Sequence, residues 1–405
     1  MKESLNVRLN SWLSGNLSWA YVMGRLGQAF EELGHNVYTI STNGLKNSDP
    51  YFNEDKMLKS VAELQKFGPG KQAINIDLTY TVPQNFPKRF LQNSKNRCAI
   101  YNYETWSPDG GWPKDWAKYY GLVDYFFPSS SFSAEVFVLN KVPAHKIFVI
   151  PHGVDQKVFN PSIPKIKLNT DKKYKFVSVT APHFRKNIPG LLHAYCQAFS
   201  AADDVCLVLK TKAFKHSDGI YDAQKNPNGR KGFEIVLGDT FKEIAKKYGK
   251  NIPSIELVQG HVENVASVYN AASCNISCTG SEGNGMIFSE ALSCGLLNIA
   301  PRYSGQLDLL NDDNSLLIDT TLRPAKNTEQ YWNYNPKSMI GEVSISHAAE
   351  LMQKAHKEHD TLLEKFRPNV EKAIKELSWT NQVQKIINAV SGNAKPYVSG
   401  TYKLK

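Results

Sequence analysis

Short apolar runs alternate with turns and amphipathic helical runs, and this series occurs twice along the chain. In the first series Leu5-Asn-Val-Arg-Leu9 reads as a strand and Ser14-Gly15-Asn16 as a turn. A helix over 17–33 stops at Gly34, and Asn36-Val-Tyr-Thr-Ile40 is the next strand. Further strands are expected at 73–76, 98–103, 125–127 and 147–150, with helices around Trp116 and Ala134. A proline-interrupted, lysine-rich stretch over 162–173 separates this series from a second one. The second has strands at 176–180, 205–209, 255–258 and 274–278, a helix opening at Pro189 and another near Val265. Segment 212–232 is polar and reads as a surface excursion. Alternation of this kind predicts parallel sheets covered by helices on both faces. With 405 residues, two domains are the natural expectation.

Hydrophobic residues make up 41% of the chain and charged ones 21%, which excludes a disordered chain. The formal net charge of +10 favours an anionic partner. The six cysteines lie in apolar contexts without zinc-site spacing, so they read as buried thiols of a cytoplasmic protein. The N-terminus shows no secretory pattern, and no apolar run approaches the roughly 20 residues a membrane span needs.

The most informative motif is Thr279-Gly-Ser-Glu-Gly-Asn-Gly-Met-Ile-Phe-Ser-Glu-Ala-Leu-Ser-Cys-Gly295. An apolar strand precedes a glycine-rich turn, and apolar residues then recur at helical spacing until Gly295. Two carboxylates result, Glu282 in the turn and Glu290 inside the helix. A helix N-terminus attracts anions. A carboxylate beside it needs another task, such as holding sugar hydroxyls.

The run Glu282-Gly283-Asn284-Gly285…Glu290-Ala291-Leu292…Cys294-Gly295 resembles the Glu-x7-Glu motif of glycosyltransferase family 4. The resemblance extends over nearly the whole chain. Leu33-Gly34-His35 before a strand, Pro151-His-Gly-Val-Asp155, Phe159-Asn-Pro161 and the Ser378-Trp379 helix entry are similar to family features. It implies the α/β GT-B fold, with two Rossmann-like domains facing each other across a cleft and a C-terminal helix crossing back to the first. The expected domains are 1–165, joined by 378–405, and a nucleotide-sugar domain over 166–377.

The family implies a retaining, metal-independent transferase with no resident cofactor. Its co-substrate is a nucleoside-diphosphate sugar, here UDP- or GDP-linked. Glu282 would contact donor-sugar hydroxyls, and Glu290 the ribose. Gly283, Asn284, Gly285 and Met286 line the same turn, and Asn284 stands where the family usually has Phe. Arg185 and Lys186 follow a predicted strand and suit the diphosphate. Family members usually space that pair several residues apart. Gly15 lies in a turn that lets backbone approach a phosphate. Lys210 ends another strand, and His261 and Val262 fall where the family holds the nucleobase.

On the acceptor side many family members carry a histidine, where this chain has Tyr101-Asn-Tyr-Glu-Thr-Trp106. Glu104 is a candidate to orient or deprotonate the acceptor, and Trp106 to stack on a sugar. Ser129 or Ser130 reads as a helix N-cap. A glycan, lipid-linked sugar or small molecule is the expected acceptor. Two other readings stay open. The basic 86–97 segment suits peripheral contact with an anionic membrane, and together with the lysine-rich tail over 395–405 it also suits a nucleic-acid acceptor. A GT-B scaffold can also bind nucleotide sugar or glycan without turnover.

Overall fold

The computed structural model describes residues 3–13, 18–42, 54–102, 104–211, 230–326, 329 and 335–402, with backbone alone over 230–236. By packing, the chain forms two units. One comprises residues 1–103, 107–153 and 376–405, and the other 104–106 and 154–375. Residues 154–165, assigned from sequence to the first domain, thus pack with the second unit. Asn270 Nδ2 donates to the carbonyls of Asn160 and Ile163, and Ser293 Oγ to that of Phe159.

The first unit holds strands β1 (Asn6–Ser11), β2 (Asn36–Ser41), β3 (Ile76–Tyr80), β4 (Arg97–Ile100) and β5 (Tyr125–Phe126). They form one parallel sheet in the order β2-β1-β3-β4-β5. Helices α1 (Ser18–Glu32), α2 (Glu54–Glu63) and α3 (Ser131–Leu139) accompany them. Ser130 caps α3 by accepting from the Ser133 amide. The third strand begins at Ile76 instead of spanning 73–76. Its polar member Asp77 is fully buried, because Arg8 of β1 answers it with Nε at 2.9 Å. The segment around Trp116 is 3-10 helical over Lys114–Leu122, and residues 147–150 make only a single bridge to Phe126. Tyr101, Trp112, Trp116 and Phe137 pack edge-on beside the sheet, with Tyr101 and Phe137 fully buried.

The second unit holds helices α4 (Ile188–Ala198), α5 (Arg230–Tyr248), α6 (Ala266–Asn270), α7 (Met286–Ser293), α8 (Ile345–Lys357) and α9 (His359–Glu376). Its parallel sheet comprises β6 (Tyr174–Val179), β7 (Val205–Thr211), β8 (Ser254–Gln259), β9 (Cys274–Ile276), β10 (Leu297–Pro301) and β11 (Leu316–Ile318). The order is β11-β10-β9-β6-β7-β8. Its core joins Phe176, Leu207 and Ile276 of the strands to Leu191 and Tyr195 of α4 and Met352 of α8. An antiparallel hairpin, β12 (Thr320–Pro324) with β13 (Met339–Val343), follows the last strand. After α9 the chain returns to the first unit as α10 (Trp379–Val390), which packs on α1 and is capped by Ser378.

The tail after α10 is bound to the first unit. Glu135 of α3 accepts from Tyr397 Oη, Ser399 Oγ and the Gly400 amide, all within 2.9 Å. All six cysteines are buried and free. No helix among the described residues is long and apolar enough to cross a membrane.

Candidate active site

The strand order of the second unit locates the site. From β6 the chain runs outward through β7 and β8, then starts again on the other side of β6 at β9. Loops leaving β6 and β9 therefore diverge, and in parallel sheets ligands bind in the crevice this opens at the carboxyl ends of the strands. The loop after β6 carries Arg185 and Lys186. The loop after β9 carries the glutamate motif.

The Arg-Lys loop is a 3-10 turn over Phe184–Lys186. Buried His183 opens it, with Nδ1 accepting from the Arg185 amide at 3.2 Å. Asn187, at φ 49°, closes it and caps α4 through the Gly190 amide. Two bends within five residues turn both basic side chains toward the motif. Lys186 Nζ lies 2.5 Å from Glu282 Oε1, and Arg185 Nη1 lies 3.2 Å from Glu282 Oε2. Arg185 also donates to the Ser281 carbonyl, while its own carbonyl accepts from the Gly280 amide at 2.8 Å. The two loops are thus joined by main chain as well as by charge.

Glu282 is only 6% exposed. Burial alone would raise its pKa, but Lys186 and Arg185 outweigh that and hold it at about 2. Its backbone is fixed too. The Glu282 amide donates to Ser304 Oγ at 2.8 Å, and its carbonyl accepts from the Gly305 amide at 2.9 Å. Ser304 sits at φ 79°, and its hydroxyl donates to buried Gln306 at 2.8 Å. Gly285, at φ 83°, is the N-cap position of α7. A Cβ there would lie 2.8 Å from the Phe288 ring, so the turn has both conformational and steric need of glycine. Gly283 and Asn284 lie between Glu282 and this cap, and Met286 opens the helix.

Glu290 follows on α7. Tyr269, fully buried on α6, donates its hydroxyl to Glu290 Oε2 at 3.0 Å. Desolvation pushes the Glu290 carboxyl up to about 7, against the pull of that hydrogen bond. On the other side of β6, Lys210 near the end of β7 is 7% exposed, and burial lowers its pKa. Its Nζ donates to the Gly260 carbonyl at 2.5 Å. That bond fixes the turn after β8, where Gly260 has φ 85°, His261 is exposed and Val262 half-buried.

Glu104 and Trp106 also pack with the second unit. Glu104 Oε1 lies 3.6 Å from Arg185 Nη2. The Met339 amide of β13 donates to the Trp106 carbonyl at 2.7 Å. Glu104, Arg185, Lys186 and Glu282 therefore form one charged cluster. Glu290 is tied to Tyr269 and Lys210 to Gly260. Gly15 lies outside the described residues. Sequence reasoning missed His183, Tyr269, Ser304 and Gln306; Tyr269 and Ser304 reach Glu290 and Glu282 21 and 22 positions away, whereas His183 and Gln306 brace their own loops. Only the position of His183, just ahead of the basic pair, carried any local signal.

No protein-family model matches the chain, and no curated protein matches it. Among solved structures it is similar to a glycosyltransferase of Rickettsia africae, at 15% identity and TM-score 0.61, over 96% of this chain and all of that one. Sucrose-phosphate synthase of Thermosynechococcus elongatus is equally similar, at 15% identity and TM-score 0.61 over the same shares. HepE of Anabaena, in complex with UDP and glucose, is 11% identical with a TM-score of 0.60, again over 96% of this chain and all of that one. The chain has the GT-B fold of these glycosyltransferases, built from two Rossmann-like units.

Proposed function

We propose that this protein is a retaining, metal-independent glycosyltransferase of the family 4 type. It moves a sugar from a nucleoside diphosphate, UDP or GDP, to the hydroxyl of a glycan, lipid-linked sugar or small molecule in the cytoplasm. The observation that carries this reading is the buried Glu282 carboxylate held by Arg185 and Lys186 at the switch point of the second sheet. The fold shared with UDP-bound HepE supports it.

Each residue then has a task set by its charge. Arg185 and Lys186 stabilise the negative charge that grows on the departing diphosphate. Glu282, ionised at any physiological pH, accepts hydrogen bonds from donor-sugar hydroxyls. Glu290 accepts from the two ribose hydroxyls, and Tyr269 orients it. Lys210 shapes the turn at His261 and Val262, which lies against the base. In the reaction the bond from the anomeric carbon to the diphosphate oxygen breaks. The bond to the acceptor oxygen forms on the same face, and the acceptor proton passes to the diphosphate.

The test is turnover of UDP- and GDP-sugars without added metal, with the product's anomeric configuration read by proton NMR. An axial donor is expected to give an axial product or axial free sugar. Inversion of configuration refutes the retaining assignment. Absence of transfer and hydrolysis with every donor refutes the activity.

A further inference from the structure

The hairpin β12–β13 lies against the glutamate motif and against residues 104–106 together. Gly341 of β13 donates its amide to the Gly280 carbonyl at 2.8 Å, two residues after Met339 binds Trp106. Both glycines are needed for this approach. A Cβ on Gly280 would meet the Ile340 side chain at 2.8 Å, and one on Gly341 would meet the Gly280 carbonyl at 2.9 Å. The hairpin edge thus binds the motif turn and the short segment that carries Glu104.

The consequence is electrostatic. Arg185, 3% exposed, faces Glu282 through Nη1 and Glu104 through Nη2. Lys186 is occupied by Glu282 at the same time. Glu282 has a task with the sugar, whereas Glu104 lies 3.6 Å from the guanidinium nitrogen that Glu282 does not face. We propose that Glu104 is a resident counter-anion that competes with the diphosphate for Arg185 and thereby speeds product release. This rests on the nucleoside-diphosphate site proposed above. Glu104 gives the buried guanidinium a second carboxylate beside Glu282, which Lys186 also engages, when the site holds no anion. When diphosphate binds, it shares Arg185 with Glu104 as well as with Glu282, and is held less tightly than it would be without Glu104. Burial and pairing pull the Glu104 carboxyl in opposite directions, and burial wins. Desolvation raises its pKa, the nearby Glu282 charge adds to that, and Arg185 opposes both.

The test is isothermal titration of UDP, GDP, ADP and inorganic pyrophosphate into wild type, Glu104→Gln and Glu104→Asp. Stopped-flow displacement then reads the release rate. With a side chain 27% exposed, Glu104→Gln should tighten binding of the recognised diphosphate about tenfold and slow its release similarly. Glu104→Asp keeps the charge and should stay near wild type. In an Arg185→Ala background the Glu104→Gln gain should vanish, as coupling between the pair requires. A Glu104→Gln protein that melts as wild type does and binds equally or more weakly overturns the proposal while leaving the site assignment standing. If neither wild type nor variant binds any of the four probes, the diphosphate site itself is refuted, and this inference with it.

Discussion

Replacing Glu282 by Gln tests the charged cluster at its centre. The substitution keeps the shape and removes the charge that Lys186 and Arg185 share at 2.5 and 3.2 Å. The magnitude follows from linkage. A pKa held at about 2, against an ordinary 4.5, is worth roughly 3 kcal/mol of preferential interaction with the charged form. Loss of one partner of a buried ion pair costs about 3–5 kcal/mol, so the two estimates agree. For a unit of this size, about 3 kcal/mol lowers the melting temperature by roughly 6–12 °C. The variant should also differ from wild type in its response to anions. Lys186 then lacks its carboxylate and Arg185 keeps only Glu104 as an anionic partner, so a saturating nucleoside diphosphate should recover more of the variant's stability than it adds to wild type. Turnover should fall by about 100- to 1000-fold, because the sugar loses an acceptor that must be in place during transfer. Scanning calorimetry with and without diphosphate, paired with initial rates, reads both effects. A variant that melts within 2 °C of wild type and keeps more than a tenth of its rate would show that Glu282 does not anchor the cluster, since both thresholds sit well below the expected shifts.

Three further outcomes follow from other parts of the structure. Glu290 titrates near 7, so donor binding should weaken as pH falls below about 7, by up to roughly tenfold per unit. Because its folded pKa is raised, the same carboxyl makes the fold less stable as pH rises from about 4.5 to 7; Glu290→Gln should flatten the donor affinity profile, and an unchanged profile rules the assignment out. Gly285→Ala forces a Cβ against Phe288 at φ 83° and should cost about 1–3 kcal/mol with loss of donor binding, read by denaturant unfolding and titration. Glu135→Ala removes the acceptor of three tail hydrogen bonds and should raise hydrogen exchange over residues 397–402 while leaving the Glu282 cluster protected; equal exchange in both proteins contradicts that docking.

Legibility in the sequence followed the physics of each element. The parallel sheets were readable because strands such as Val205–Thr211 are buried along their whole length and read as continuous apolar runs. The capping serine Ser130 was readable because a cap is a local contact. The third strand was misplaced because Asp77 breaks its apolar pattern, and its partner Arg8 lies far back in the chain. The hairpin β12–β13 left little trace, since its pairing joins residues about 20 apart and its first strand, Thr320–Pro324, is only partly buried. The placement of Glu282 in a turn after a strand and of Glu290 on the helix that follows was legible from their spacing. The meeting of Glu104 with Arg185 was not, because tertiary contacts of the Trp106–Met339 kind have no local signature.

The proposed function requires a nucleoside-diphosphate-sugar site built on Lys186, Glu282 and Glu290. Titration of UDP-, GDP- and ADP-sugars into wild type, Lys186→Ala and Glu290→Ala, without metal, tests it most directly. Sugars of one base are expected to bind wild type, and each substitution to weaken that binding at least about tenfold, the scale of a lost charge-assisted hydrogen bond. Binding of no donor at millimolar concentration, or binding that both substitutions leave unchanged, contradicts the proposed function.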